Sequence, residues 1–274
     1  MSLKFRLCKN DTTSWLRETF SATPLKVPEA RVQPLAILAY KNDETSFRGH
    51  LRYLLQNTEA FNPPVETATV ASVSLQRTKK VNIDIGFNIL DGFFKAFKMD
   101  SIALGTALKG LKEMSLSFTN VQRRFVDLGA LGQSVKSNRI DLTNPSIGVF
   151  TGEKPSEMLV ISDVIVSRSF TINNESGRDD AFDVNVPLVE KYLADAKLGV
   201  KVEKNTKDSI TFEGEEALTF AFSCVRVQFD AGTGALSLME TVNPKRSTDP
   251  NAPPIVEKVL LDDDVYEPGM LSMD

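Results

Sequence analysis

Residues 81 to 89 alternate without a break. Val81, Ile83, Ile85, Phe87 and Ile89 are apolar, and Asn82, Asp84, Gly86 and Asn88 fill the gaps. Successive side chains of a strand point to opposite faces, so this run reads as a strand with one apolar and one polar face. A helix would scatter the same five apolar residues around its axis. The pattern begins near Glu66 and recurs further on. Met114, Leu116 and Phe118 alternate with Ser115, Ser117 and Thr119, and that strand runs on towards Arg124. The longest candidate, 157–172, has Met158, Val160, Val164, Val166 and Phe170 at even positions. Its odd positions mix Leu159, Ile161 and Ile165 with Asp163, Ser167 and Ser169.

Shorter elements lie between. Leu35 to Tyr40 is a continuous apolar run, expected as a buried strand, and Leu51, Leu54 and Leu55 fit one helix face. A short helix or turn is expected near Asp11–Phe20, and short helices near Asp91–Phe97, over Val126–Val135, and after Pro187, a residue suited to a first helical turn. Strands are expected at 182–186, 200–203, 210–213, 218–222 and 225–229, with Cys224 where the alternation changes phase. Ala231-Gly232-Thr233-Gly234 is a hairpin-type turn into 236–241. Helices and strands mix without the regular alternation of βαβ units. The fold class is therefore α+β, a large twisted and mostly antiparallel sheet with short peripheral helices.

One histidine and two cysteines in 274 residues exclude most familiar catalytic sites. A histidine-based triad would have to use His50, which stands beside Arg48 and Arg52 and reads as a solvated surface residue. A zinc site is hard to assemble from so few ligands. No Walker loop, dinucleotide fingerprint, nucleophile elbow or paired-cysteine motif is present. Cys224, in an apolar strand, reads as a core thiol. Cysteine scarcity favours a reducing cytoplasm, and no apolar run reaches the ~20 residues of a membrane helix. The N-terminal Lys4, Arg6 and Lys9 surround Cys8. That segment is either an edge strand with a buried thiol or a site of S-acylation, since basic residues beside such cysteines favour anionic lipid.

The C-terminal part differs in kind. Pro244, Pro250, Pro253 and Pro254 punctuate 243–254, an expected exposed linker. Residues 255–274 carry Ile255, Val256, Val259, Leu260, Leu261 and Tyr266. They also carry six acids and one base, Lys258, a net of −5. The whole chain is −4, which leaves +1 on residues 1–254. The tail is too short to fold alone and too apolar to float free, so it is expected to lie on the body. Asp262, Asp263 and Asp264 read as a solvated acidic run rather than a cation site.

Long strands with Ser, Thr and Asn on one face suit an ordinary half-buried sheet. They also suit hairpins that cross a membrane, for which ~9–11 residues per strand suffice. Alternation alone does not separate the two.

Together these pieces resemble the gasdermin family, in particular its short bacterial members. The resemblance rests on Cys8, on Pro34–Leu38 followed by Gly49–Leu55, and on Val81–Phe87, Leu116–Val121 and Ile210–Phe222. It rests also on a short tail where mammalian members carry a helical inhibitory domain. It implies a pore-forming body over 1–242 with the fold of a gasdermin N-terminal domain, a protease-sensitive linker over 243–254 and an autoinhibitory peptide over 255–274. It further implies a cytoplasmic monomer that, once cut by a partner protease, oligomerises on membrane lipids of the inner membrane and inserts β-hairpins. Cell death as anti-phage defence would follow. No cofactor and no nucleic acid are implied. By position Cys8 would match the palmitoylated cysteine, and exposure and charge nominate Lys245 or Arg246 at the cut. The inserting strands would present Val81, Ile83, Ile85, Phe87, Ile89, Met114, Leu116, Phe118, Val160, Val164 and Val166. Ile255, Val256, Val259, Leu260, Leu261 and Tyr266 would hold the tail. Two other classes stay open: a lipid-binding or interaction module without pore activity, and an enzyme of unrecognised type.

Overall fold

Alternating apolar residues over a long stretch need a neighbour of matching length, and two such strands pair here. The computed structural model describes residues 22–42, 44–70, 114–174, 201–206, 209–239 and 258–259. In chain order its strands are β1 (Thr23–Glu29), β2 (Ala36–Lys41), β3 (Glu44–His50), β4 (Val65–Thr69), β5 (Met114–Thr119), β6 (Gln122–Val126), β7 (Glu157–Asn174), β8 (Lys201–Thr206), β9 (Ser209–Phe229), β10 (Leu236–Leu238) and β11 (Lys258–Val259). Among the described residues there is one α-helix, α1 (Leu128–Lys136), with 3-10 turns at Leu51–Leu54 and Pro145–Phe150. The fold is the expected α+β arrangement, a sheet whose described pairings are all antiparallel.

β7 and β9 run side by side from Met158↔Val227 to Asn173↔Ser209. Shorter strands tile their outer edges. Along β7 lie β2 (opposite 157–160), then β6 (163–166), then β5 (169–174). Along β9 lie β8, β1, β11 and β10 in turn. β3 extends the sheet beyond β2, and β4 beyond β6. The β7–β9 register shifts between Ile161 and Asp163, between Ile165 and Val166, and between Ser167 and Ser169. The first and last of these fall where β7 changes its other partner. A bulge bends and twists a strand locally, which lets one long strand serve several short ones at different angles.

Both faces are covered. On one, Ile37, Met158, Val160, Val225 and Val227 meet Leu131 and Val135 of α1, with Leu51, Leu54, Ile147 and Phe150 of the two turns. On the other, Leu38, Leu159, Ile161, Val164, Val166, Phe222 and Cys224 pack with Leu25 and Val32. The helix expected at 126–135 is present, capped by Asp127, whose carboxylate accepts the Ala130 N–H at 2.9 Å.

Four expectations are corrected. Val160 does not share a face with Val164 and Val166, because the extra residue at Ser162 reverses the alternation. The three segments expected at 210–213, 218–222 and 225–229 are one strand. The change of phase at Cys224 reflects only that β9 is apolar on both faces there. The strand expected to run from Met114 on towards Arg124 is interrupted at Asn120, a positive-φ residue (φ 53°) between β5 and β6. Of the residues expected on one helix face, Leu51 and Leu54 lie in a single 3-10 turn, and Leu55 follows it in extended conformation. Val81 to Ile89, where the alternation is clearest, and the segments expected near 11–20, 91–97 and 182–196 lie outside the described residues.

The turn after β9 depends on one glycine. Gly234 is buried at φ +68°, and a Cβ there would stand 2.5 Å from the Ile140 carbonyl oxygen. The Ile140 N–H donates to the Gly234 carbonyl at 2.8 Å, so the two backbones cannot part cheaply. Gly234→Ala is expected to lower unfolding free energy by more than about 1 kcal/mol in urea titration. Gly148→Ala, which has open space at its Cβ, should stay within about 0.5 kcal/mol of the parent.

Candidate functional site

Where β7 carries its first bulge, an acid is folded into the sheet. Asp163 is 3 % exposed. Such a carboxylate is tolerated only when fully hydrogen-bonded. Its Oδ1 accepts from Arg123 of β6, with Nε at 2.6 Å and Nη2 in closer contact. Its Oδ2 accepts from the Ser162 hydroxyl at 2.7 Å and from Lys258 Nζ at 2.9 Å. Four donors meet the four lone-pair positions of the carboxylate. The Arg123 guanidinium also lies over the Phe125 ring, 4.4 Å from its centre, which fixes its orientation. Both cations keep partial access to water while the acid has almost none.

Lys258 belongs to the C-terminal tail. With Val259 it forms β11, antiparallel to β9 with Lys258 opposite Val225 and Val259 opposite Cys224. β1 occupies β9 up to Phe222 and β10 resumes at Val227, so β11 fills the interval between them. Val259 packs against the second core, and the Cys224 thiol donates to its carbonyl at 3.6 Å. At these two residues the tail is paired with the body. Ile255, Val256, Leu260, Leu261 and Tyr266, with Cys8, Lys245, Arg246 and Asp262 to Asp264, lie outside the described residues.

Sequence reasoning missed Asp163, Arg123 and Lys258 as a unit. Two signals were there: an acid within an otherwise apolar strand, and a single base within a strongly acidic tail. Val160, Val164 and Val166 are buried in the two cores. Met114, Leu116 and Phe118 lie on β5, opposite Asn174, Ile172 and Phe170.

Cys224 is the core thiol expected, wholly buried, its pKa pushed up to about 12 by that burial. His50 is not a solvated surface residue. It is half-buried at the head of the 3-10 turn, where its Nδ1 accepts the Arg52 N–H at 3.2 Å. Burial, and then the Arg52 charge, lower its pKa. This favours the neutral ring that capping needs. No helix among the described residues is long and apolar enough to cross a membrane. No group of three His, Cys, Asp or Glu among them is placed to hold a metal ion. A cleft of about 440 Å³, where β9 carries extra residues against Arg168 of β7, is lined in part by Arg124, Arg168, Glu215 and Glu216. Both glutamates are exposed.

Residues 25–235, more than half of the chain, match the model of the Bacterial Gasdermin Family. The chain belongs to that family. Gasdermin bGSDM of Vitiosangium sp. is 25% identical over 223 residues, which is 81% of this chain and 82% of the relative. Gasdermin bGSDM of Gillisia limnaea is 26% identical over 214 residues, 74% of this chain and 76% of the relative. The solved structure of a bacterial gasdermin from Bradyrhizobium tropiciagri superposes with a TM-score of 0.62 at 12% identity, covering 96% of this chain and 97% of that one. That likeness shows that the gasdermin fold is shared. The family match ends at Ala235, before β11.

Cys224 gives a direct probe of this packing. Thiolate is the reactive form, and a buried thiol displaced to about 12 supplies almost none at neutral pH. Cys224 in the folded full-length gasdermin is expected to resist iodoacetamide at pH 8 and to label fully in guanidinium chloride, read by peptide mass spectrometry.

Proposed function

We propose that this gasdermin is an autoinhibited pore-forming protein, activated when a protease removes its C-terminal tail. Two things support the reading. Membership of the gasdermin family implies pore formation, and the family is one of non-enzymatic pore formers. The tail, through Lys258 and Val259, is paired to the central strand β9 and ion-paired to Asp163.

In this reading the body spans 1–242, the cut falls in 243–254, at Lys245 or Arg246, and residues 255–274 are the inhibitory peptide. The intact chain is a cytoplasmic monomer. The cut body oligomerises on lipids of the inner membrane and inserts hairpins drawn from the long amphipathic strands, and cell death limits phage spread. Charge works in the same direction. The tail carries −5 and the remainder +1, so its loss lifts repulsion from anionic lipid, which attracts bases at roughly 1 kcal/mol each near the surface. A palmitoyl group on Cys8 would add a second membrane signal.

The alternative is a lipid-binding module whose tail is a packed arm, and one experiment separates the two. The full chain is made with a site-specific protease sequence replacing 245–250 and mixed with dye-filled vesicles containing anionic lipid. Cutting is expected to release dye, and the uncut chain is expected to be silent. Vesicles that stay sealed after complete cutting would end the pore reading. Intact-mass measurement from the native host is expected to show a hydroxylamine-sensitive palmitoyl adduct on the N-terminal peptide.

A further inference from the structure

Three side chains donate to Asp163, and they are held by different parts of the chain. Ser162 is its neighbour on β7, and Arg123 stands on β6, itself paired to β7. Lys258 stands on β11, whose described pairing is two residues long. We propose that the β9 edge at Cys224–Val225 is a strand-acceptor slot whose floor reads charge through Asp163. Lys258 is the positioning residue that seats this chain's own tail in it. This rests on the tail's inhibitory role proposed above and specifies what the slot recognises.

The slot is narrow. β1 closes one end at Phe222 and β10 the other at Val227. Within it an occupant must offer a cation to one face and an apolar side chain to the other, in successive positions. Lys258 and Val259 do this, with the ammonium 2.9 Å from Asp163 and Val259 on the core of Leu38, Ile161 and Cys224. The reading is sensitive to register. A one-residue slip reverses every side chain of a strand, and would bring Glu257 or Val259 to the position opposite Val225. A two-residue slip would bring Val256 or Leu260 there. Lys258 is the one base in residues 255–274, so no other register pairs Asp163.

The same arrangement makes the seat releasable. Stripping the partner from a buried charge is costly because it orphans the charge. Here Arg123 and Ser162 remain on Asp163 when Lys258 departs, and Lys258 leaves into water. The tail can go without an uncompensated acid in the sheet and without unfolding the body.

The test uses the full-length chain carrying Lys258→Met or Lys258→Arg. Hydrogen exchange is read on the peptide containing Lys258 and Val259, stability by urea titration, and dye release on anionic vesicles with and without cutting. Lys258→Met is expected to speed exchange in that peptide about tenfold, the scale of one charge-assisted hydrogen bond. Lys258→Arg should stay near the parent rate, and neither should move the urea midpoint of the body. Unchanged exchange in Lys258→Met, or equal acceleration in Lys258→Arg, would overturn the slot. The inhibitory reading is judged separately. Faster exchange in a protein that stays silent even after cutting keeps the slot and ends the pore reading. Unchanged exchange in a protein that leaks once cut does the reverse.

Discussion

The pairing of β7 with β9 is the constraint on which the other described strands depend. β2, β5 and β6 hang on β7, β1, β8, β10 and β11 hang on β9, and β3 and β4 are one step further out. Such a pair holds register only where side chains on both faces are committed. Val160 and Val225 enter one core while Ile161, Phe222 and Cys224 enter the other. A slip of one residue would exchange the faces of the whole strand and break both cores at once. The bulges are part of this design. Without the extra residue at Ser162, the line that follows β2 at 157–160 would continue in the same phase, and Asp163 would not reach Arg123.

Much of this was legible, and the part that was not has an identifiable reason. β7 could be read because Ser and Asp punctuate its apolar residues, and α1 because Leu128, Leu131 and Val135 follow Asp127 at helical spacing. The bulge could not. Ser162 is one more polar residue in an alternating run, and an inserted residue carries no compositional mark. β9 was read as fragments because a strand buried on both faces loses the alternation that identifies strands. His50 was misread for a related reason. Its role as a cap comes from the chain turning at Leu51, which brings the Arg52 N–H to its ring. The carboxylate cluster joins β6, β7 and the tail, and local pattern does not encode which distant residues meet.

The cluster also separates two electrostatic effects that composition merges. In the reading proposed above, an acidic tail joined to a slightly basic body would act at long range on an anionic membrane, and such effects fade beyond a Debye length of ~8 Å at physiological salt. The Lys258–Asp163 contact is short and partly shielded from solvent, and salt weakens it far less. A tail with only acids would oppose a membrane but would have nothing to give Asp163. A tail with many bases would seat well but would no longer mask the charge of the body. One base among six acids satisfies both demands.

The described part of the tail contact is a two-residue strand and an ion pair, and in the reading proposed above a contact of limited strength would suit a switch operated by cutting. While the tail is covalently joined, it binds as an intramolecular partner at an effective concentration on the order of millimolar. A cut replaces that value with the concentration of free peptide, which is the protein's own and lower by orders of magnitude. A contact of intermediate strength is therefore nearly always made before the cut and nearly always lost after it. A stronger contact would keep the severed tail in its slot, and a weaker one would leave β9 open in the intact chain. On the proposal above, the two cations on Asp163 would set that balance. Lys258 would help to seat the tail, and Arg123 would lower the penalty of its leaving.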